Sequence, residues 1–434
     1  MNQASLRRPA ARPSRRASVA SGMTCQVDRV VADKRPDDPL HCLRPVAIGE
    51  SVRAFAAAFP GRLLYAVKCN PEPRVLRALW RAGIRNFDCA SSAEVGLVRQ
   101  MFSNPGIHFM HPVKSRAAIA EAYDRHGVRD FALDSDDELR KILEVVAAIA
   151  GRRRREADLG LIVRLAVSNC GAAYSLSGKF GADAQRAAAL LAAARPYAQR
   201  LGVSFHVGSQ CLRPEAYAEA IRVAAQAAER ARVAIDIVDV GGGFPVAYTQ
   251  TTPPPLTAYT DAIRAAVAES SFADTVELWA EPGRALVAAG ASLVVRVIHR
   301  RDRDLFVNDG IYGSLSDAGT PGFRFPVRLI PRDGRPPAAP GAAFRLFGPT
   351  CDAADRMDGP FELPEDAAEG DWIEVGQLGA YGSALRTAFN GFDRARLIEV
   401  NDPPLLATPG YGPIASAARA TAPAWAAVAA FAES

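Results

Sequence analysis

Between Leu63 and Glu281 the chain alternates short apolar runs, rich in β-branched and aromatic residues, with Ala/Arg/Glu-rich segments of helical period. This alternation constrains the fold most, because a parallel strand buried on both faces needs a helix after it to cover the sheet. The expected strands are Leu63–Val67, Arg85–Phe87, Ile107–Met110, Asp130–Leu133, Leu159–Leu165, Val203–Phe205, Ala234–Val240 and Val276–Ala280. Asp136–Ala150, Ala184–Arg200 and Pro214–Arg232 are among the helices between them. Eight such units match a closed (β/α)8 barrel, with an open doubly wound sheet as the competing layout.

After Arg284 the texture changes. Strand-like runs at Ser292–Ile298, Leu305–Val307, Phe325–Ile330, Trp372–Val375 and Arg396–Val400 are punctuated by turn signals and by the loop Pro331–Gly341. They predict a second, mainly antiparallel β domain, to which the stretch before Leu63 adds a strand. A chain of 434 residues, nearly half of them apolar, can bury two cores. The expected division is a disordered basic tail at 1–26, a segment joining the β domain at 27–44, the barrel at 45–284 and the β domain at 285–434.

The net charge of +5 comes largely from the first stretch, where Arg7, Arg8, Arg12, Arg15 and Arg16 precede the first acid, Asp28. The body is near neutral and lacks a basic stripe interleaved with aromatics, so nucleic acid is not an expected partner. Seven cysteines, an odd number without a C-x-x-C pair, suit neither a disulfide framework nor a zinc site. No metal is expected, and the simple reading is a cytoplasmic protein. No apolar run approaches the roughly 20 residues that span a bilayer, so no membrane association is expected. The acid-free segment Met1–Met23 also suits an organellar transit peptide, although a disordered tail, or a start upstream of Met23, is the plainer reading.

The chemically capable residues fall at the C-terminal ends of the expected strands, the rim where such barrels build active sites. Strand one ends in Lys68, strand two in Asp88, strand three at His111, strand six in His206, strand seven in Gly241, Gly242 and Gly243, and strand eight in Glu281, while Arg164 lies near the end of strand five. Taken singly, each has an ordinary explanation: a solvated strand-end lysine, a tight glycine turn, a structural histidine, a Glu281–Arg284 ion pair. Their coincidence on one rim suits pyridoxal 5'-phosphate chemistry. A lysine can carry that cofactor as a Schiff base, an acid can keep its ring nitrogen protonated, and glycine N–H groups with an arginine can hold its phosphate.

At these residues the chain resembles the fold-type III pyridoxal-phosphate decarboxylases, a barrel of the alanine racemase type followed by a β domain, and within them the ornithine decarboxylase branch. The resemblance rests on Tyr65 to Asn70 (YAVKCN), Phe87 to Ser91 (FDCAS), Lys179 to Gly181, Ser204 to Ser209 (SFHVGS), Asp239 to Pro245 (DVGGGFP) and Ala280 to Arg284 (AEPGR). It continues through Asn308 to Ser314 (NDGIYGS), Gly348 to Asp352 (GPTCD), Gly379 to Tyr381 and Phe389 to Phe392, so it spans roughly Val46 to Phe392. By resemblance Lys68 is the Schiff-base lysine, His206 the ring-stacking residue and Glu281 the partner of the pyridine nitrogen. Ser209, Gly241 to Gly243, Gly283, Arg284 and Tyr381 hold the phosphate, and Asp88 and Arg164 stand beside the cofactor. Cys351 returns a proton to the substrate's α-carbon after carbon dioxide leaves. Asp352 binds the distal amine, with Tyr312, Asp317 and Phe389 as its neighbours. In the family the Cys351–Asp352 pair reaches into the partner subunit's barrel, which implies a homodimer with shared active sites.

The expected substrate is a basic amino acid, L-ornithine first, then L-lysine or a related diamino acid of a specialised pathway. The aspartate after Cys351 favours these over diaminopimelate, where the family places a glutamate. One departure stands out: the Tyr-Asp-His element of animal ornithine decarboxylases is replaced by Ser316 to Pro321 (SDAGTP). There Asp317 either substitutes for the missing acid or is a turn residue. A racemase would leave the Cys351–Asp352 pair without a purpose. A reading of another class, a catalytically silent binding protein like the antizyme inhibitors, is opposed by the completeness of the cofactor set.

Overall fold

The computed structural model describes residues 27–409 except 154–157, 169–170, 175–177, 274 and 336–340. The expected basic tail, 1–26, and the last part of the expected β domain, 410–434, lie outside the described residues.

Eight parallel strands close into a barrel: β2 (Arg62–Ala66), β3 (Asn86–Cys89), β4 (Gly106–Phe109), β5 (Asp130–Leu133), β6 (Gly160–Arg164), β8 (Arg200–Ser204), β10 (Ile237–Asp239) and β11 (Glu277–Ala280). β11 pairs with β2 to complete the ring, which excludes the open sheet. The strands are buried nearly throughout, as the continuous apolar runs require. Inside the ring Leu64, Met110, Ala132, Ile162, Ile237 and Trp279 pack into one cluster. Outside it the helices lay their apolar faces on the strands. Their starts are set locally: Ser91, Ser115 and Asp183 cap the helices Ser92–Met101, Arg116–Asp124 and Ala184–Ala194 by accepting from backbone N–H groups of the first turn. β7 (Ala172–Tyr174) and β9 (Ser209–Cys211) form a small antiparallel ribbon between barrel strands.

The second sheet joins β1 (Leu40–Leu43), β12 (Ala291–Arg301), β13 (Asp304–Val307), β14 (Val327–Ile330), β15 (Gly341–Phe347), β16 (Arg356–Pro364), β17 (Trp372–Val375) and β18 (Arg396–Glu399) in the central order β14-β17-β12-β13-β15-β16. Most pairs are antiparallel, but β1–β18 and β13–β15 are parallel. β1, from the segment before the barrel, lies antiparallel to β12, Leu40 opposite Val294. The two halves are also joined by the buried Arg44, which meets Glu374 at 2.9 Å and Ser292 Oγ at 2.8 Å. Two long strands, β15 and β16, arise where no strand is expected from the sequence.

Candidate active site

The barrel's C-terminal rim and the adjoining β domain enclose a cavity of about 630 Å³. Lys68, Asp88, His111, Arg164, His206, Ser209, Gly242, Gly243, Glu281, Gly283, Arg284, Asp317 and Tyr381 all line it. Several sit just past the strand ends rather than on them. Lys68 occupies the 3-10 turn Val67–Cys69 after β2, and His206 lies two residues beyond β8. That turn aims the Lys68 ammonium at Asp88, with Nζ 2.6 Å from Oδ2. Asp88 itself is 1% exposed, and its Oδ1 is buried without a hydrogen-bond partner among the described residues. Burial alone would press Lys68 towards neutrality, but the Asp88 carboxylate beside it outweighs burial and holds its pKa well above the ordinary lysine value.

Glu281 follows β11 directly and is buried, with Asp239 and Asp88 near it. Burial, then the Asp239 and Asp88 charges, push its pKa well above the carboxylate range. Burial likewise lifts Asp239 to about 6. Asp239 Oδ1 accepts from the Gly241 N–H at 2.8 Å, so the same acid braces the glycine loop. The buried site therefore favours the protonated form of Glu281. His206 is held neutral, first by burial and then by Arg164 and Lys68. Its Nδ1 accepts from the Gly208 N–H at 3.0 Å, leaving the hydrogen on Nε2.

The glycines answer a steric demand. A Cβ on Gly242 would lie 2.9 Å from the Glu281 carbonyl oxygen and 3.0 Å from His206 Nε2, and one on Gly243, at φ +99°, would lie 2.4 Å from the Gly208 oxygen. Gly241, at φ +68°, starts the same loop. At this end Arg284 stands with its guanidinium carbon 4.9 Å from the Tyr381 and Phe323 ring centres. Its Nη1 donates to Tyr248 Oη at 2.9 Å, and Nε is buried without a partner among the described residues. Tyr381 arrives from the β domain in the left-handed region, φ +58°, and its N–H donates to the Cys69 carbonyl at 2.9 Å, next to Lys68.

The remaining expected residues gather elsewhere. Tyr312, Cys351, Asp352 and Phe389 do not line the cavity but meet on an outer face of the β domain. Tyr312 Oη donates to Asp352 Oδ2 at 2.5 Å, and its ring lies 4.7 Å from that of Phe389. The exposed Cys351 donates its N–H to Asn390 Oδ1 at 3.1 Å. Buried Asp355 fixes this loop by accepting from the Thr350 N–H and Oγ and from the Ile311 N–H. Asp317, expected beside the distal amine, separates from these residues: its Oδ2 is 2.9 Å from Arg284 Nη2. The sequence reading also passed over Asp239, whose place before the glycine run was its only signal, and Tyr248, which had none.

A lysine paired with a buried acid at the rim of a closed barrel, facing a buried glutamate and an arginine-and-glycine anion site, is the arrangement of a barrel-type pyridoxal-phosphate enzyme. Asp88 Oδ1 and Arg284 Nε, two of the buried atoms without a partner among the described residues, and the Cβ-free glycine cradle fit that cofactor. The chain belongs to the pyridoxal-dependent decarboxylases: residues 46–288 match the family's pyridoxal-binding domain and 288–379 its C-terminal sheet domain. It is 33% identical over 360 residues to the decarboxylase flvG of Aspergillus flavus, covering 78% of this chain and 80% of that one. It is also 33% identical over 351 residues to the lysine/ornithine decarboxylase of Selenomonas ruminantium, covering 79% and 84%. Among solved structures, the arginine decarboxylase of Paramecium bursaria Chlorella virus superposes with a TM-score of 0.76 at 29% identity, over 86% of this chain and 99% of that one. Among the described residues no helix is long and apolar enough to cross a membrane.

Proposed function

We propose that the protein decarboxylates a basic amino acid, L-ornithine first, giving putrescine and carbon dioxide, with L-lysine or a related diamino acid next. The observation that carries the reading is the Lys68–Asp88 pair, 2.6 Å apart, in one cavity with the buried Glu281. The bound cofactor supplies an electron sink for the carbon that loses its carboxylate. Lys68 Nζ is the attachment point, and Asp88 holds that nitrogen in place. Glu281 would be the acid partner of the ring nitrogen, and the neutral His206 would pack against the ring. Ser209, Gly241 to Gly243, Gly283, Arg284 and Tyr381 would hold the cofactor's phosphate, while Arg164 adds positive charge beside Glu281 and His206.

Substrate handling falls to the outer patch. The Ala354 N–H and the Tyr312 hydroxyl both donate to Asp352 and hold its carboxyl below the ordinary aspartate range, so it stays an anion for a distal ammonium. Cys351 Sγ returns the proton to the α-carbon, with Phe389 as an apolar wall. Because this patch lies outside its own chain's cavity, the reading places it in the barrel of a second copy, in a cytoplasmic homodimer. A silent binding protein has no use for the intact lysine, histidine, glutamate and arginine set at one rim.

The test is carbon dioxide release by purified protein with the cofactor, assayed on ornithine, lysine, arginine and diaminopimelate. Ornithine or lysine should give the highest kcat/KM, and Lys68→Ala should abolish both turnover and the visible absorbance of lysine-linked cofactor. Turnover of diaminopimelate alone overturns the substrate assignment.

A further inference from the structure

The phosphate end of the cavity holds an acid that the proposed function does not use. Asp317 lies on the short helix Ser316–Gly319, and its own carbonyl accepts from the N–H groups of Gly322 and Phe323 at 3.1 and 2.8 Å. This folds the Ser316–Phe323 segment back over Arg284. The guanidinium is then engaged on nearly every side: aromatic rings on Phe323 and Tyr381, the Tyr248 hydroxyl at Nη1, and Asp317 Oδ2 at Nη2. Nε is buried without a partner among the described residues. Of the five guanidinium N–H groups Tyr248 accepts one, and the Asp317 carboxylate stands beside Nη2, so a phosphate dianion at this arginine must contend with a carboxylate already at its edge.

We propose that Asp317 is a positioning residue that competes with the cofactor phosphate for Arg284 and so sets a ceiling on cofactor affinity. This rests on the reading of Arg284 as the phosphate cation. An arginine buried at 7% exposure needs a counter-charge, which the carboxylate supplies, but the same carboxylate repels the dianion it sits beside. The pairing is also imperfect. Asp317 Oδ2 reaches 2.9 Å from Nη2 without hydrogen-bond alignment, and burial raises the Asp317 carboxyl above the ordinary aspartate range although Arg284 opposes the rise. An under-compensated carboxylate yields to a better anion more readily than a fully bonded one. Thr320, Pro321 and Phe323 of the same segment line the cavity, so the competition also bears on that stretch of its wall.

The experiment is an equilibrium titration of the full chain, followed by cofactor absorbance and tryptophan quenching, with pyridoxal 5'-phosphate and, separately, with pyridoxal, which lacks the phosphate. The proteins are wild type, Asp317→Asn, Asp317→Ala and Arg284→Gln; Asp317→Asn keeps the side chain's shape in case the alanine variant folds poorly. Removing the competing charge should tighten pyridoxal 5'-phosphate on the order of tenfold in both Asp317 variants and leave pyridoxal unchanged. Unchanged or weaker binding of pyridoxal 5'-phosphate overturns the proposal and makes Asp317 only an orienting partner of Arg284. Arg284→Gln separates the two levels of the reading. If it fails to weaken pyridoxal 5'-phosphate relative to pyridoxal, the phosphate assignment itself falls.

Discussion

Replacing Glu281 with glutamine removes a carboxyl whose protonated form the fold favours, and the effect on stability follows from linkage. In the unfolded chain Glu281 ionises near its ordinary 4.5, whereas in the fold burial beside Asp239 and Asp88 raises its pKa well above that. A carboxyl shifted upward contributes its full stability below the unfolded pKa and loses it as pH rises towards the folded one, because the native state retains a proton that the unfolded state releases. For one proton the slope is about 1.4 kcal/mol per pH unit. Asp239 adds its own slope only between 3.8 and about 6, so above pH 6 the pair's dependence belongs to Glu281. Glutamine has nearly the same shape and keeps a donor for the neighbouring carboxylate, so Glu281→Gln should flatten the profile without opening a void. Above pH 6 the wild type should lose stability relative to the variant as pH rises, at no more than about 1.4 kcal/mol per pH unit. The assay is urea unfolding of cofactor-free protein at half-unit pH steps, followed by tryptophan fluorescence; Trp279, buried two residues before Glu281, reports on the barrel. The variant should be the more stable protein at pH 8 and yet bind the cofactor more weakly, having lost the acid for the ring nitrogen. Parallel stability profiles for the two proteins would refute the protonated Glu281.

Two further outcomes test the geometry. Lys68→Ala and Cys351→Ala should each be inactive alone, but subunits exchanged at equal concentration should recover about a quarter of wild-type activity, since half the dimers are mixed and each carries one intact site of two; no recovery despite demonstrated exchange would place Cys351 outside a shared site. Gly243→Ala should cost about 1 to 3 kcal/mol of stability and release cofactor on dialysis, because its Cβ would sit 2.4 Å from the Gly208 oxygen at φ +99°; a variant that melts and retains cofactor like wild type would show that the loop can give way.

The barrel was legible because parallel strands covered on both faces read as continuous apolar runs, and the closure by β11 and β2 is the form eight such units favour. Strand limits were less legible. Ala234–Val240 reads as one run, yet only Ile237–Asp239 pairs as strand, since a short parallel strand needs few residues and the rest enter the turns that carry the site. The β15–β16 hairpin escaped notice because Gly359 and Pro360 interrupt its pattern and Gly341 sits at the end of an expected loop. Lys68, His206, Glu281 and the glycines were visible as polar or flexible residues at the ends of apolar strands. Asp239 was marked only by its place before the glycine run, because its role depends on Glu281 forty-two positions away. Arg284 was visible as a cation, but its enclosure by Tyr248, Phe323, Tyr381 and Asp317 draws on separate segments and has no signature in any one of them.

The division of the expected residues between two places bears on how the reaction is run. Every group assigned to the cofactor lies in the cavity or on its glycine turn, and Tyr381, which comes from the β domain, is bonded to the turn that carries Lys68. On the proposed roles, the groups that hold the cofactor thus all come from one folded chain. Cys351 and Asp352, by contrast, sit on an outer face beside Phe389 and Phe392, which are 42% and 44% exposed. Large aromatic rings left open around a thiol and a charged acid are costly for a free surface and suit one that is covered. On the proposed reading cofactor binding is a property of the chain, whereas proton return and substrate selection belong to the pair. Dilution to monomers should therefore abolish turnover before it abolishes the cofactor's absorbance. Simultaneous loss of the two would place the substrate groups and the cofactor in a single subunit's site.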